Sequence, residues 1–312
     1  MASKIKEKPE MTALERFNRI GVPTNIVFNL IFILMALVCV IPVLFVVSIS
    51  FSAEESITRY GYRLIPQIWS MEGYAYLAKQ SAVILRALGM SVLVTVLGTG
   101  IGTLLTTLMG YVLSRPVYKL KGFLTWVVFI PMVFNGGLVS TYFITSSFLG
   151  LKDTIWALIF PLAVTSFHVI ICKTFFRLTI PDSLVESAKI DGATQLTIFF
   201  RIVLPLSLPV IATIALFLCF NYWNDWFQAM LYIDNSKLYT LQAFLNKLLG
   251  DINMLAQNAQ DMGVTQAQLI ASMPKEAARM AIVVVIVLPI ACAYPFFQKY
   301  FISGLTVGAV KG

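Results

Sequence analysis

The chain has 312 residues, 58 % of them hydrophobic and only 12 % charged, with a mean hydropathy of +0.83. A soluble core of this size cannot hide so much apolar surface, so lipid must serve as part of the solvent and a soluble globular protein is excluded. The net charge of +8 calls for no nucleic acid, because Lys and Arg concentrate in the segments that a membrane topology places in the cytoplasm.

Residues 1–26 form a basic segment, and the first apolar run follows it at about 27–50. At roughly 24 residues that run is too long for the apolar region of a secretory signal and reads as an anchor. Five more runs near the length that crosses ~30 Å of hydrocarbon lie at about 88–112, 123–147, 155–175, 206–230 and 279–301. The fold class is therefore all-α, a polytopic membrane protein of six transmembrane helices filling 27–303, with a tail at 304–312. Gly98, Gly100, Gly102, Pro131, Pro161, Pro209, Pro289 and Pro295 lie inside the runs, where neighbouring helices re-satisfy the backbone and kinks are allowed. Arg115, Lys119 and Lys121, without nearby acids, carry much of the bias that puts both termini in the cytoplasm. The segments 51–85 and 231–277 are then external, and LQAFLNKLLGDINMLAQ in the second has helical composition.

The four cysteines (Cys39, Cys172, Cys219, Cys292) sit in apolar runs and read as packing residues, without disulfides or metal. The single histidine, His168, leaves no zinc motif and reads as a packed, hydrogen-bonded side chain. No phosphate-binding loop and no nucleophile elbow are present, so the chain reads as no enzyme and without a cofactor of its own. Any ATP and Mg would be bound by another chain.

An amphipathic stretch interrupts the apolar text at 180–205. Ser183 and Glu186 have capping-box spacing, which predicts a helix from about Leu184. Gly192 can take positive φ and end it, and Thr194 can cap a second helix that finishes near Pro205. Leu184, Ser187 and Ala188 are small or apolar side chains that another surface could approach. Such a helix either lies on headgroups or enters a groove on a partner. Asp182, Glu186 and Asp191 against the single Lys189 favour the protein partner.

Glu186-Ser187-Ala188, Asp191-Gly192-Ala193 and then Ile202-Val203-Leu204-Pro205 resemble the "EAA" loop of ABC importer permeases. FNGGLVSTY, LGLKDTIWALIFP, IPDSLVESAKIDGA and the C-terminal GLTVGAVKG extend the likeness to the maltose-permease-like, complex-saccharide branch, over nearly the whole chain from about residue 25. Ser187 stands where Ala is usual, His168 where Asn is common, and Ser140 where Pro is common. The resemblance implies a type I ABC importer permease fold in the bacterial cell membrane. It also implies a second homologous permease subunit, two ABC ATPase subunits, an extracytoplasmic solute-binding protein and a carbohydrate substrate. On that likeness Ser183, Glu186, Ser187, Ala188, Asp191, Gly192, Ala193, Leu204 and Pro205 belong to the loop that couples to the ATPase.

A sugar path combines aromatic faces with hydrogen-bonding groups. Asn221-Tyr222-Trp223-Asn224-Asp225-Trp226, with polar groups near membrane depth, is one place that qualifies. Asn135-Gly136-Gly137 with Tyr142, where paired glycines can break the third helix, is the other. Trp and Tyr at a span end also fit an interfacial belt, and in maltose-type importers the sugar can rest mainly on the companion permease. An ion-coupled secondary carrier is the competing class. It favours intramembrane carboxylates, of which the runs offer little beyond Asp225.

Overall fold

The computed structural model describes residues 21–258 and 275–309. The expected N-terminal segment up to residue 20, the end of the second external segment and the last three residues lie outside them. Every apolar run is helical. Helix α1 (Val22–Ser50) leads to two short helices, α2 (Glu54–Tyr60) and α3 (Glu72–Ala78), and then to the 34-residue α4 (Ser81–Ser114). Helix α4 starts seven residues before the apolar run it contains. The third run is split into α5 (Lys121–Val133) and α6 (Gly137–Phe143), the latter continued by a π-helical turn, Ile144–Phe148.

The fourth run is a pair, α7 (Ile155–Ala163) and α8 (Ser166–Thr179), bent by 51°. The amphipathic stretch gives α9 (Asp182–Ile190) and α10 (Gln195–Ile198), which runs on through a π-helical turn, Phe199–Val203, to Leu206. An 86° bend leads into α11 (Leu208–Asn224), followed by α12 (Phe227–Tyr232). The helical composition noted after residue 240 is realised as α13 (Leu241–Asn258), and α14 (Lys275–Ala309) closes the chain. Residues 304–309, expected as tail, belong to that helix.

By length and composition two helices, Pro23–Ser50 and Ser81–Ser114, suffice to cross a bilayer unbroken, and the two bent pairs suffice if each is one span. Prolines mark the breaks. Pro161 lies near the end of α7, Pro131 two residues before the end of α5, and Pro209 in the first turn of α11. Pro131 and Pro161 each remove a helical N–H and crowd the preceding turn, whereas Pro209 stands in a first turn, where no helical N–H is needed.

Helix α4 is the axis of the bundle and packs on α11, α8 and α7. Its glycines do not kink it, contrary to the sequence-based allowance. Three of them allow neighbours to close in: a Cβ on Gly98 would meet the Tyr222 ring at 2.5 Å, one on Gly102 the Ala163 carbonyl oxygen at 2.7 Å, and one on Gly110 the Cys172 Cβ at 2.5 Å, whereas Gly100 faces open space. Without a water-driven force between helices inside lipid, close packing of this kind supplies association. Cys172 is buried there as expected, whereas Cys39 and Cys292 are exposed on outer helix faces.

At the end of the bundle opposite α9, Glu54 caps α14 from a distance. Its carboxylate accepts the Glu276 N–H at 3.1 Å and the Ala277 N–H at 3.2 Å. Free N–H groups at a helix start favour a carboxylate for both hydrogen bonding and dipole reasons. Tyr62 donates to Glu276 at 2.9 Å, and this hydrogen bond, with the carboxylate's negative charge, raises the Tyr62 pKa above its usual value.

Candidate functional site: an exposed helix at one end and a polar recess at the other

The α9–α10 corner is built by local chemistry. Gly192 takes φ +81°, its N–H donates to Lys189 O at 3.0 Å, and the Ala193 N–H donates to Ala188 O at 2.9 Å. These two bonds form a Schellman motif, which needs a left-handed residue after the helix end. Thr194 then caps α10, its hydroxyl accepting the Thr197 N–H at 3.2 Å. Both expectations for this turn hold as geometry.

The expected capping box does not form. Pro181 occupies the N-cap position, no side chain caps the helix, and α9 begins at Asp182, which places Ser183 inside the first turn. Ala188 is also turned differently from expectation, since with Val185 it is buried in the chain's own core, where Ala193 and Leu204 pack as well. The outward face of α9 consists of Ser183, Leu184, Glu186, Ser187 and Ile190, the last 87 % exposed, with Asp191 at its end; Pro205 is exposed in the last turn before the bend. Beside α9 lies a groove of about 390 Å³ between α4, the loop 115–118 and α10, lined among others by Tyr111, Arg115, Glu186, Lys189 and Leu196.

At the opposite end, one of the two places named for a sugar path, Asn135 to Gly137, lines a recess, whereas no residue of the Asn221–Trp226 string does. Asn135 Oδ1 accepts the Gly137 N–H at 2.8 Å, and Gly137 takes φ +82°, so the helix breaks there and restarts as α6. Gly136 precedes the restart, and its carbonyl accepts from the Ser140 hydroxyl. A recess of about 340 Å³ opens between this break and α12, lined by Asn135, Gly137, Leu138, Thr141, Phe227, Gln228, Leu231 and Tyr232. Tyr142 stacks on Tyr232 with ring centroids 5.8 Å apart. Gln228 Oε1 and the Tyr232 hydroxyl are buried and have no hydrogen-bond partner among the described residues. Buried polar atoms of this kind cost free energy unless something pairs with them.

The 221–226 string divides. Tyr222 and Trp223 do not reach the recess: both are buried, Tyr222 donating to Ile159 O at 2.7 Å and Trp223 to Ile286 O at 3.3 Å. Asn221 is exposed. Asn224 donates to Phe220 O at 2.9 Å and accepts from Gln242 at 3.4 Å. Asp225 is half-buried and accepts the Gln228 N–H at 3.4 Å, while Trp226 packs edge-on against Phe227. Gln228 and Tyr232, which sequence reasoning missed, lie two and six residues beyond that string. Their only signal was polarity within an apolar run. His168 is buried and stacked on Phe217 at 5.7 Å, but Nδ1 finds no partner among the described residues, so only the packing half of its reading holds.

An all-α chain of long apolar helices, with a short polar helix projecting from one end of the bundle, is the architecture of a membrane-embedded transport permease. Residues 98–307 match the family of binding-protein-dependent transport system inner membrane components, and the chain belongs to that family. Among its relatives, the polygalacturonan/rhamnogalacturonan transport system permease protein YtcP of Bacillus subtilis (strain 168) is 41 % identical over 90 % of this chain and 96 % of its own length. The arabinooligosaccharides transport system permease protein AraQ of Halalkalibacterium halodurans is 30 % identical over 90 % of this chain and 94 % of its own. In fold, the chain resembles one solved in a bacterial ABC transporter involved in the import of the acidic polysaccharide alginate. The TM-score is 0.76 at 24 % identity, covering 94 % of this chain and all of that one. These findings favour the ABC importer permease over the ion-coupled carrier.

Proposed function

We propose that this chain forms one half of the translocation path of an ATP-driven importer for an oligosaccharide or complex glycan. The observation that carries the reading is the exposed α9 corner, a rigid polar helix held by a Schellman turn in a protein of the permease family. The saccharide class is supported by relatives whose names specify oligosaccharide or pectic polysaccharide transport. A second homologous permease, two ATPase subunits carrying ATP and Mg, and an extracytoplasmic solute-binding protein complete the complex, in the cell membrane with both termini cytoplasmic. The α9 end then faces the cytoplasm, and the outward residues of α9 seat in the ATPase. Closure of the ATPase pair on ATP moves α9, and the short stiff path through α10 and the 86° bend passes that motion to α11.

The recess faces the other compartment. It offers hydrogen-bonding partners suited to sugar hydroxyls, an amide at Asn135 and a hydroxyl at Thr141, with the unpaired Gln228 Oε1 and Tyr232 hydroxyl buried in its wall. Aromatic surface from Phe227, half-buried at the recess, suits the C–H face of a pyranose. The test is ATP-dependent uptake of a panel of neutral and uronate oligosaccharides into proteoliposomes holding the full complex. Uptake of one class is expected, reduced by Gln228→Leu or Tyr232→Phe by roughly three- to tenfold, the order of one neutral hydrogen bond. Wild-type uptake by both variants would remove the recess from the path, and uptake of no saccharide by an ATP-hydrolysing complex would refute the substrate class.

A further inference from the structure

We infer that Arg115 is the positioning residue that locks the coupling helix to the end of the central helix α4, so that the two move as one body. This rests on the reading of α9 as the ATPase-facing helix. Arg115 follows the last residue of α4, and its side chain is only 12 % exposed. One guanidinium nitrogen donates to Asp182 Oδ1 at 3.0 Å, on the first residue of α9. The other donates to the Phe176 carbonyl at 3.2 Å, in the last turn of α8, where a cation also complements the helix dipole. Nε donates to the Ser114 hydroxyl at 3.0 Å.

The guanidinium lies 5.3 Å from the centre of the Tyr111 ring. Tyr111 in turn packs edge-on against Phe176 at 6.3 Å, and with tilted rings against Phe199 at 5.4 Å, in the π-helical turn after α10. One planar fork and one ring thus join α4, α8, α9 and the strut behind α10. An exposed ion pair alone would contribute little, and Asp182 is largely exposed. Here the burial of the arginine, its carbonyl contact and its stacking convert a surface pair into a fixed joint. Lysine replaces it only in part, because a compact ammonium lacks the planar fork that spans the two acceptors while lying over the Tyr111 ring. The groove beside α9 is walled by the same residues, so the joint is also the only described side-chain link that spans α4 and the start of α9 by hydrogen bonds.

The experiment uses the full complex in proteoliposomes and reads sugar molecules transported per ATP hydrolysed. Arg115→Ala is expected to assemble with the ATPase, since the outward face of α9 is untouched. Its transport per ATP should fall roughly tenfold, the order expected for loss of a charge-assisted hydrogen bond in the joint. Arg115→Lys should give an intermediate ratio, and it carries the test if the alanine variant accumulates poorly. The pair Arg115→Asp with Asp182→Arg should recover part of the ratio lost in Arg115→Asp alone, which a general folding defect would not do. A wild-type ratio in both Arg115→Ala and Arg115→Lys overturns the joint. Disulfide cross-linking from Ser187→Cys to the ATPase, in the otherwise wild-type complex, tests the underlying reading separately. With that cross-link present, an unchanged ratio refutes the joint alone; its absence in an active complex refutes both.

Discussion

At the scale of single residues, the α9 corner separates what Glu186 does for its own chain from what it does for a partner. No capping box forms, Glu186 is exposed, and no hydrogen bond to it is found among the described residues. Glu186→Gln should therefore leave folding unchanged, with a melting temperature within a degree or two of wild type. If Glu186 pairs with the ATPase, the same change should weaken ATPase co-purification and substrate-stimulated hydrolysis by roughly tenfold, as expected for loss of a charge-assisted bond. Equal stoichiometry and equal hydrolysis in lipid would leave Glu186 without a role in coupling. Asp153 makes a different kind of prediction. It holds positive φ of 57° between α6 and α7, and its Oδ1 accepts the Asp234 N–H at 2.7 Å and the Asn235 N–H at 2.9 Å. Those two N–H donors, Asn235 first, hold its pKa below the usual carboxylate value. With the folded pKa depressed, the contribution is complete above the unfolded pKa of about 3.9 and is lost as pH falls through the folded value. Amide exchange at Asp234 and Asn235 should accelerate only in that acid window, and Asp153→Asn should flatten the dependence; a pH-independent difference would break the assignment. Gly192 and Thr194 were legible in the sequence because a turn and a cap are decided by neighbours within four residues. Ser183 was misread because its spacing to Glu186 is equally compatible with a helix starting earlier, and Pro181 together with the Arg115–Asp182 contact selects that start.

At the scale of elements, the proposed coupling depends on the angle between α9 and α10. The Schellman bonds fix that angle, and the left-handed residue that makes them possible must be able to take φ near +81°. Gly192→Pro fixes φ near −65° and removes the N–H that Lys189 O accepts, so both bonds are lost. The variant should reach the membrane and retain hydrolysis where the ATPase still binds, but lose uptake by an order of magnitude or more; normal uptake at normal abundance contradicts the corner's role. Gly192→Ala, which has open space around the added Cβ, should show a milder loss, since only backbone strain of about 1 kcal/mol opposes it. The breaks in the third, fourth and fifth runs were foreshadowed by Gly136-Gly137, Pro161 and Pro209. The size of each bend was not, because a proline permits a kink and the helices packed around it set the angle. Helix α4 shows the converse: of the three glycines that could have bent it, Gly98 and Gly102 are consumed by contacts with Tyr222 and Ala163 and Gly100 faces open space, Gly110 takes in Cys172, and the helix stays continuous.

At the scale of the whole molecule, α1 leaves most of its apolar length exposed, while α4 buries one side against α11, α8 and α7 and leaves side chains such as Leu85 and Val96 exposed. Open apolar faces of that length suit lipid, and on the proposed function the nucleotide-binding parts belong to other subunits. The purified chain alone, in lipid, should neither hydrolyse ATP nor transport sugar, and both activities should appear when permease partner, ATPases and binding protein are added. Hydrolysis by the rigorously purified single chain would contradict this. A reporter active only in the cytoplasm, fused after Gly312, should function, and silence of that fusion in a folded protein would reverse the proposed orientation. The sequence by itself determined that the protein is helical and lives in a membrane, because hydropathy over about 20 residues is a sum that needs no partner. It also determined the α9–α10 corner, and the likeness that led to the permease family, since both reside in short contiguous strings. Only the tertiary structure decided which side chains of those strings face outwards. It turned Ala188, Tyr222 and Trp223 into the core, set Gln228 and Tyr232 beside Asn135 in one recess, and laid Arg115 across the start of α9. Those choices depend on helices brought together from distant parts of the chain, and the direction a side chain faces on a helix that is apolar nearly all round is set by its neighbours and not by its own pattern.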